Sequence, residues 1–120
     1  MPFELAVKLK EKGFSCEYPF AMYNEDGEFY PLYSSDKYYY EISDFDSRDF
    51  IAPTISQVLK WLREEKKLHI VIIIWGRTWG YNTIELPSGR SLHWTAYQED
   101  IKSYEDAAIA GIEYVLDNLI

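Results

Sequence analysis

The chain has 120 residues, of which 48% are hydrophobic and 27% charged, a composition typical of one globular domain rather than a disordered segment. Its formal net charge of -8 repels phosphate backbones and anionic lipid, which argues against nucleic acid and membrane as partners. The single cysteine, Cys16, excludes an intramolecular disulfide framework. No signal-peptide pattern follows Met1, and the longest apolar run, Ile70 to Trp75, is too short to span a bilayer. A cytoplasmic location is therefore expected.

The N-terminal segment predicts a short helix from Pro2 to Lys12. Gly13 then offers a left-handed residue after the helix, with Phe14 placed to contact Leu9 as in a Schellman ending. Further on, the turn signal Asn24–Gly27 separates two apolar runs and indicates a hairpin. We expect its strands at Phe20–Tyr23 and Phe29–Tyr33, another strand at Lys37–Ile42, and an acidic loop at Ser43–Asp49.

The second half carries clearer signals. Thr54 and Gln57 form a capping box for an amphipathic helix that ends near Lys67. The β-branched run His69–Trp75 predicts a strand buried on both faces, hence at the centre of a sheet. A turn at Gly76–Gly80, a strand at Tyr81–Leu86, a turn at Pro87–Gly89 and a strand at Leu92–Tyr97 complete a meander.

Ser103 is the predicted N-cap of a last helix, and Gly111 within it indicates close packing against another backbone. The apolar face predicted to meet the sheet consists of Tyr104, Ala108, Ile112, Val115 and Leu119. The fold class is therefore α+β. We expect two layers in one domain over residues 1–120: an antiparallel sheet, made of the meander plus the N-terminal hairpin, with about three helices packed on one face.

Several of these stretches together resemble a known family. They are Leu9–Phe14 with a cysteine shortly after, Ala52–Thr54 leading into Val58–Glu64, Leu68–Ile70, and Ser103–Ala107 followed by Ala110–Ile112. The chain is similar to small uncharacterised proteins of gut Bacteroidetes and their phages and prophages. That resemblance implies a compact domain without an assigned activity, and it supplies no catalytic or binding residue.

No catalytic, metal or cofactor site is predicted from the motifs. The acidic loop from Asp44 to Asp49 lacks the glycine and glutamate spacing of an EF-hand. His69 and His93, on neighbouring predicted strands, could approach each other, but a structural hydrogen bond is the favoured role of His69. Cys16 is interpreted as a buried small side chain rather than a nucleophile.

The unusual feature of the composition is its aromatic content, 18% of all residues. Trp61 and Trp94 are assigned to the core. The remaining rings gather at one predicted hairpin end and one strand, and Tyr, Trp and Arg are the residues enriched in interface hot spots. The interface candidates are Tyr38, Tyr39, Tyr40, Trp75, Arg77, Trp79 and Tyr81.

These observations favour a non-enzymatic interaction module that associates with itself, as a homodimer, or with another protein, in a setting that the resemblance makes phage-related. Two alternatives stay open. One is an enzyme or small-molecule-binding protein with a pocket lined by tyrosines and carboxylates. The other is an acidic decoy that mimics DNA, although lysines are interspersed among the acidic residues.

Overall fold

The computed structural model describes residues 1–16, 19–32, 48–95 and 100–120. Within these ranges the chain has three α-helices and two three-stranded antiparallel sheets, which confirms the α+β class. The residues group into two compact units, unit 1 at Met1–Thr54 and unit 2 at Ile55–Ile120. The N-terminal strands and the meander were expected in one sheet, but each unit has a sheet of its own.

Helix α1 of unit 1, Phe3–Glu11, ends as its sequence predicts. Gly13 is left-handed, with φ +83°, and its N–H donates to the carbonyl of Lys10 at 3.1 Å. The Phe14 N–H reaches back to the Leu9 carbonyl at 2.9 Å, so both bonds of a Schellman motif are present. Leu9 and Phe14 are both buried, which anchors the end of the helix in the core of unit 1.

The sheet of unit 1 contains the predicted hairpin. The Asn24 Oδ1 accepts the N–H groups of Asp26 at 3.0 Å and Glu28 at 2.9 Å, so the side chain holds the turn. Its three short strands are β1 (Ala21–Tyr23), β2 (Phe29–Pro31) and β3 (Phe50–Ile51), in the order β2-β1-β3. The predicted strand at 37–42 and the acidic loop up to residue 47 lie outside the described residues.

Half-buried aromatic rings connect the helix of unit 1 to its sheet. Phe3, at the start of α1, meets Tyr23 and Phe50 edge to face, each with ring centroids 5.4 Å apart. The Phe3 ring also lies against the hairpin turn, because a Cβ added to Gly27 would come within 3.1 Å of it. Lys10 covers the Phe50 ring at 4.7 Å from its centroid. Phe3 thus joins the helix, the turn and β3.

Unit 2 opens with α2 (Ile55–Trp61), which begins directly after the predicted cap and continues as a π-helical turn at Leu62–Lys66. Lys67, with φ +56°, ends this segment. The elements that follow are β4 (Leu68–Trp75), β5 (Thr78–Glu85), β6 (Ser91–Trp94) and α3 (Tyr104–Asn118).

The strand order β4-β5-β6 places β4 at an edge of the unit 2 sheet. The prediction of a central position for this strand is therefore wrong. Its β-branched run does not reflect burial on both faces, because Val71, Ile72 and Ile73 are only half-buried and Ile74 is exposed. Apolar residues occur on both faces of β4, and a strand buried on both faces would have the same composition.

Helix α3 packs on β4 and β5 of this sheet. Ser103 caps it as predicted, since its Oγ accepts the Asp106 N–H at 3.0 Å. Gly111 is closely packed as predicted, but against side chains and not against a backbone. An added Cβ would lie 2.9 Å from Ile70 Cγ2 and 3.2 Å from the Tyr81 ring. The absence of a side chain at Gly111 lets the helix lie close to the sheet.

Candidate functional site

A two-residue loop, Gly76 and Arg77, joins β4 to β5. Gly76 has φ +61° whereas the φ of Arg77 is not positive, which is the pattern of a type II′ hairpin turn with glycine first. The turn was predicted to extend to Gly80. Because the loop closes at Thr78 instead, Trp79 belongs to strand β5 and its side chain has a defined face.

The hairpin end carries a compact apolar surface. Ile74 and Trp79 are direct cross-strand partners, so their side chains share one face of the sheet. The Trp79 ring meets Tyr104, the first residue of α3, edge to face with centroids 6.1 Å apart. Ile74 is 58% exposed and Tyr104 41%. We call these three residues, with the exposed Arg77 of the adjoining loop, the hairpin patch.

Backbone contacts fix the geometry of the hairpin patch. The Trp79 N–H donates to the Ile101 carbonyl at 2.9 Å, which ties β5 to the segment before α3. Two residues later Ser103 caps the helix, and that cap sets the direction in which Tyr104 leaves the backbone. The rings are therefore attached to a strand and a helix start rather than to a free loop.

The structure divides the predicted interface residues. Arg77 is exposed and Trp79 half-buried, and both lie in the hairpin patch. Tyr81 is 5% exposed and packs against Gly111, so it is a core residue that offers no surface to a partner. For Trp75 only the backbone, in β4, is described, and Tyr38, Tyr39 and Tyr40 lie outside the described residues.

Sequence reasoning missed two members of the hairpin patch. Tyr104 was assigned to the face of α3 that meets the sheet, and Ile74 to a doubly buried strand. The signal for Tyr104 was its place directly after the N-cap, as the first residue of the helix. For Ile74 no sequence signal distinguished it from the three isoleucines nearby.

The exposed Trp94 of unit 2 lies on the opposite face of the sheet. His93 pairs with Thr83 and stacks on Tyr114 of α3, with ring centroids 3.7 Å apart, so His93 faces the helix. Its neighbour Trp94 consequently points away, and it is 58% exposed. The assignment of Trp94 to the core is wrong, whereas Trp61 is buried as predicted.

The two histidines do not come together. Ile70, Thr83 and His93 share the face covered by α3, so His69, next to Ile70, lies on the other face and two strands away. The buried Nδ1 of His69 has no hydrogen-bond partner in the described part of the chain, so the structural bond expected of this residue is not found at that atom. The two histidines therefore cannot bind one metal ion together.

Other predicted chemistry can be located in part. Cys16 forms no disulfide and is half-buried rather than fully buried. Among residues 1–16, 19–32, 48–95 and 100–120, no three His, Cys, Asp or Glu side chains are grouped to hold a metal ion. None of the helices in those ranges combines the length and apolar character needed to cross a bilayer.

The β5–β6 loop holds the carboxylate of Glu85 in its charged form. Ser88 Oγ donates to Oε1 and Arg90 Nη2 to Oε2, each at 2.9 Å. The Ser88 hydrogen bond, followed by the charge of Arg90, lowers the pKa of Glu85 below its ordinary value. Because the folded pKa is the lower one, the stabilisation from this carboxylate is present above the unfolded pKa and is lost as pH falls through the folded pKa.

We expect Ser88→Ala to raise the pKa of Glu85 toward the ordinary value, because the largest cause of its lowering is removed. The side-chain carboxyl carbon shift, followed against pH by NMR, measures this change. Ser91→Ala is the control, since the Ser91 hydroxyl bonds to Asn82 at 2.6 Å and not to Glu85. An unchanged pKa in Ser88→Ala would assign the whole effect to Arg90.

Comparison with known proteins adds no relative: no protein-family model, no curated protein and no solved structure matches the chain. The resemblance to small proteins of gut Bacteroidetes and their phages stays an expectation based on its motifs.

Proposed function

We propose that this chain is a non-enzymatic interaction module that associates with itself through the hairpin patch. The observation that carries the proposal is the exposure of Ile74 beside the Trp79–Tyr104 ring pair at one end of the unit 2 sheet. A cytoplasmic, phage-related setting, expected from the sequence and its resemblance, belongs to the same proposal.

The composition of the hairpin patch supports this role. Trp, Tyr and Arg are the residues that most often contribute strongly to binding at protein interfaces. Aromatic side chains present a large area with few rotatable bonds, so ordering them on association costs little entropy. Here the ring contact and the Trp79–Ile101 hydrogen bond order them further before any partner arrives.

Electrostatics also favour this part of the chain for self-association. Two copies that each carry a net charge of -8 repel one another at long range. The hairpin patch contains no acidic side chain and includes the cationic Arg77. Contact at this surface therefore adds less like-charge repulsion than contact at the acidic parts of the surface.

Trp79→Ala is expected to weaken self-association at least tenfold, because a hot-spot aromatic contributes about 2 kcal/mol or more. Light scattering across a dilution series measures the dissociation constant, and circular dichroism checks that the variant is folded. Trp94→Ala is the matched control, since it removes an exposed tryptophan from the other face of the same sheet. A wild-type chain that stays monomeric at all concentrations would refute the proposal.

A further inference from the structure

In the part of the chain that the structure describes, no strand pairs with the edge of β4 that faces away from β5. A two-residue hairpin loop makes Trp75 and Thr78 a hydrogen-bonded pair, after which bonded and non-bonded pairs alternate along the ladder. Ile72 and Ile74 fall in non-bonded pairs, so their N–H and C=O groups point to the open edge. The partner strand agrees: the N–H groups of Trp79 and Tyr81 point away from β4 to Ile101 and Thr95.

The open part of this edge can be delimited by exposure. In the described residues β5 is the one strand that pairs with β4. Ile70 is only 4% exposed and so offers a partner almost no surface. Ile72 is half-buried and Ile74 is exposed, so the accessible stretch is Ile72–Ile74. It adjoins the hairpin patch, to which Ile74 also belongs.

This edge lacks the features that protect edge strands in monomeric proteins. Natural sheets block their edges with lysines, prolines, inward charges or bulges. The eight residues Leu68–Trp75 include no charged residue and no proline, and their register with β5 is continuous. Four isoleucines and a valine give the strand a high β propensity. A strand of this kind is a template for pairing with another strand.

We propose that the partner at this edge is β4 of a second copy, paired antiparallel about a twofold axis at Ile73. Ile72 would then form a hydrogen-bonded pair with the partner's Ile74, and the symmetric pair would form on the other side of the axis. The exposed side chain of Ile74 would lie beside the partner's Ile72. The two unit 2 sheets would join into one continuous sheet.

A second copy fits this edge for two reasons. An antiparallel strand pair with a twofold axis is self-complementary, so isoleucine opposes isoleucine at all three positions of the stretch Ile72–Ile74. The strand is also neutral in a chain of net charge -8, so pairing brings no like charges directly opposite each other. The inference rests on the proposed self-association and specifies its geometry.

A disulfide tests the geometry directly. At the twofold axis Ile73 would form a non-hydrogen-bonded pair with its own copy, with Cα atoms about 4.5 Å apart, within the range that a disulfide bridges. In a Cys16→Ser background, Ile73→Cys is expected to give a covalent dimer under mild oxidation. Val71→Cys in the same background is the control, because the two copies of this residue would lie on opposite sides of the axis, too far apart for a disulfide.

Substitutions at the edge test the same pairing without a cross-link. Ile74→Lys places a charge at the exposed end of the stretch and is expected to raise the dimer dissociation constant more than tenfold. Trp94→Lys, on the other face, should leave it unchanged. A dimer that Trp79→Ala weakens but that Ile73→Cys does not cross-link would overturn the β4 pairing and retain the proposed function. A wild-type chain without self-association would overturn both.

Discussion

Gly111→Leu is expected to destabilise unit 2 by about 3 kcal/mol, because it forces a large side chain into a filled helix–sheet contact. Even a single Cβ would lie 2.9 Å from Ile70 Cγ2, closer than such carbons approach, and the stiff β-branched side chain cannot simply rotate away. The same Cβ would lie 3.2 Å from the Tyr81 ring. Urea denaturation followed by tryptophan fluorescence measures the loss.

Gly111→Ala should cost less, about 1 kcal/mol net, since the better helix propensity of alanine offsets roughly 1 kcal/mol of the overpacking. Combining it with Ile70→Ala tests the cause. Removal of Cγ2 should make Gly111→Ala neutral or stabilising in that background, a coupling that distant residues would not show. Glu113→Ala, exposed on the same helix, should stay within about 0.5 kcal/mol of wild type. A stabilised Gly111→Ala in the wild-type background would contradict the packing argument.

Phe3→Ala is expected to reduce the stability of unit 1 by about 2–3 kcal/mol. Replacing a fully buried phenylalanine by alanine costs about 3–5 kcal/mol of stability. We expect a smaller loss here because Phe3 is half-buried. The substitution removes the contacts with Tyr23 and Phe50 and exposes the inner side of the turn at Gly27. Hydrogen exchange of the β1 amides reports the loss locally.

Phe29→Ala is the matched control for this position. Phe29 also contacts Tyr23, with ring centroids 5.7 Å apart, but it is 61% exposed and contacts no second ring in the described residues. We expect a loss of less than about 1 kcal/mol. Equal losses in the two variants would mean that Phe3 does not connect the helix to the sheet in the way its contacts indicate.

Features set by local sequence were predicted well. The Schellman ending at Gly13, the turn at Asn24 and the cap at Ser103 each depend on a few adjacent residues with specific backbone requirements. These signals need no knowledge of the rest of the fold. The α+β class followed from the same local elements.

Features that depend on which strands pair could not be predicted from local sequence. The position of β4 in its sheet depends on which strands lie beside it, and its apolar letters fit an edge and a centre equally well. The sheet face on which His69 and His93 lie depends on the pairing register of three strands, because a shift of one residue exchanges the two faces. The separation into two sheets likewise depends on long-range contacts that no local motif encodes.

The sequence brings only part of the hairpin patch together. Aromatic and arginine content points to the hairpin that contains Arg77 and Trp79. Tyr81 was included because the turn was predicted to extend to Gly80, which placed Tyr81 next to the turn rather than at the fourth position of β5. Ile74 and Tyr104 join the surface only through a cross-strand pair and a helix start that the sequence does not connect.

The length of the β4–β5 loop has a consequence for how this protein could diverge. With two residues between the strands, Ile74 and Trp79 fall on the same side of the sheet. If one further residue were accommodated by a shift in register, every β5 side chain would exchange sides: Trp79 would leave Tyr104, and Tyr81 would leave Gly111. A change in the number of residues in this loop would therefore alter the surface and the interior of unit 2 together.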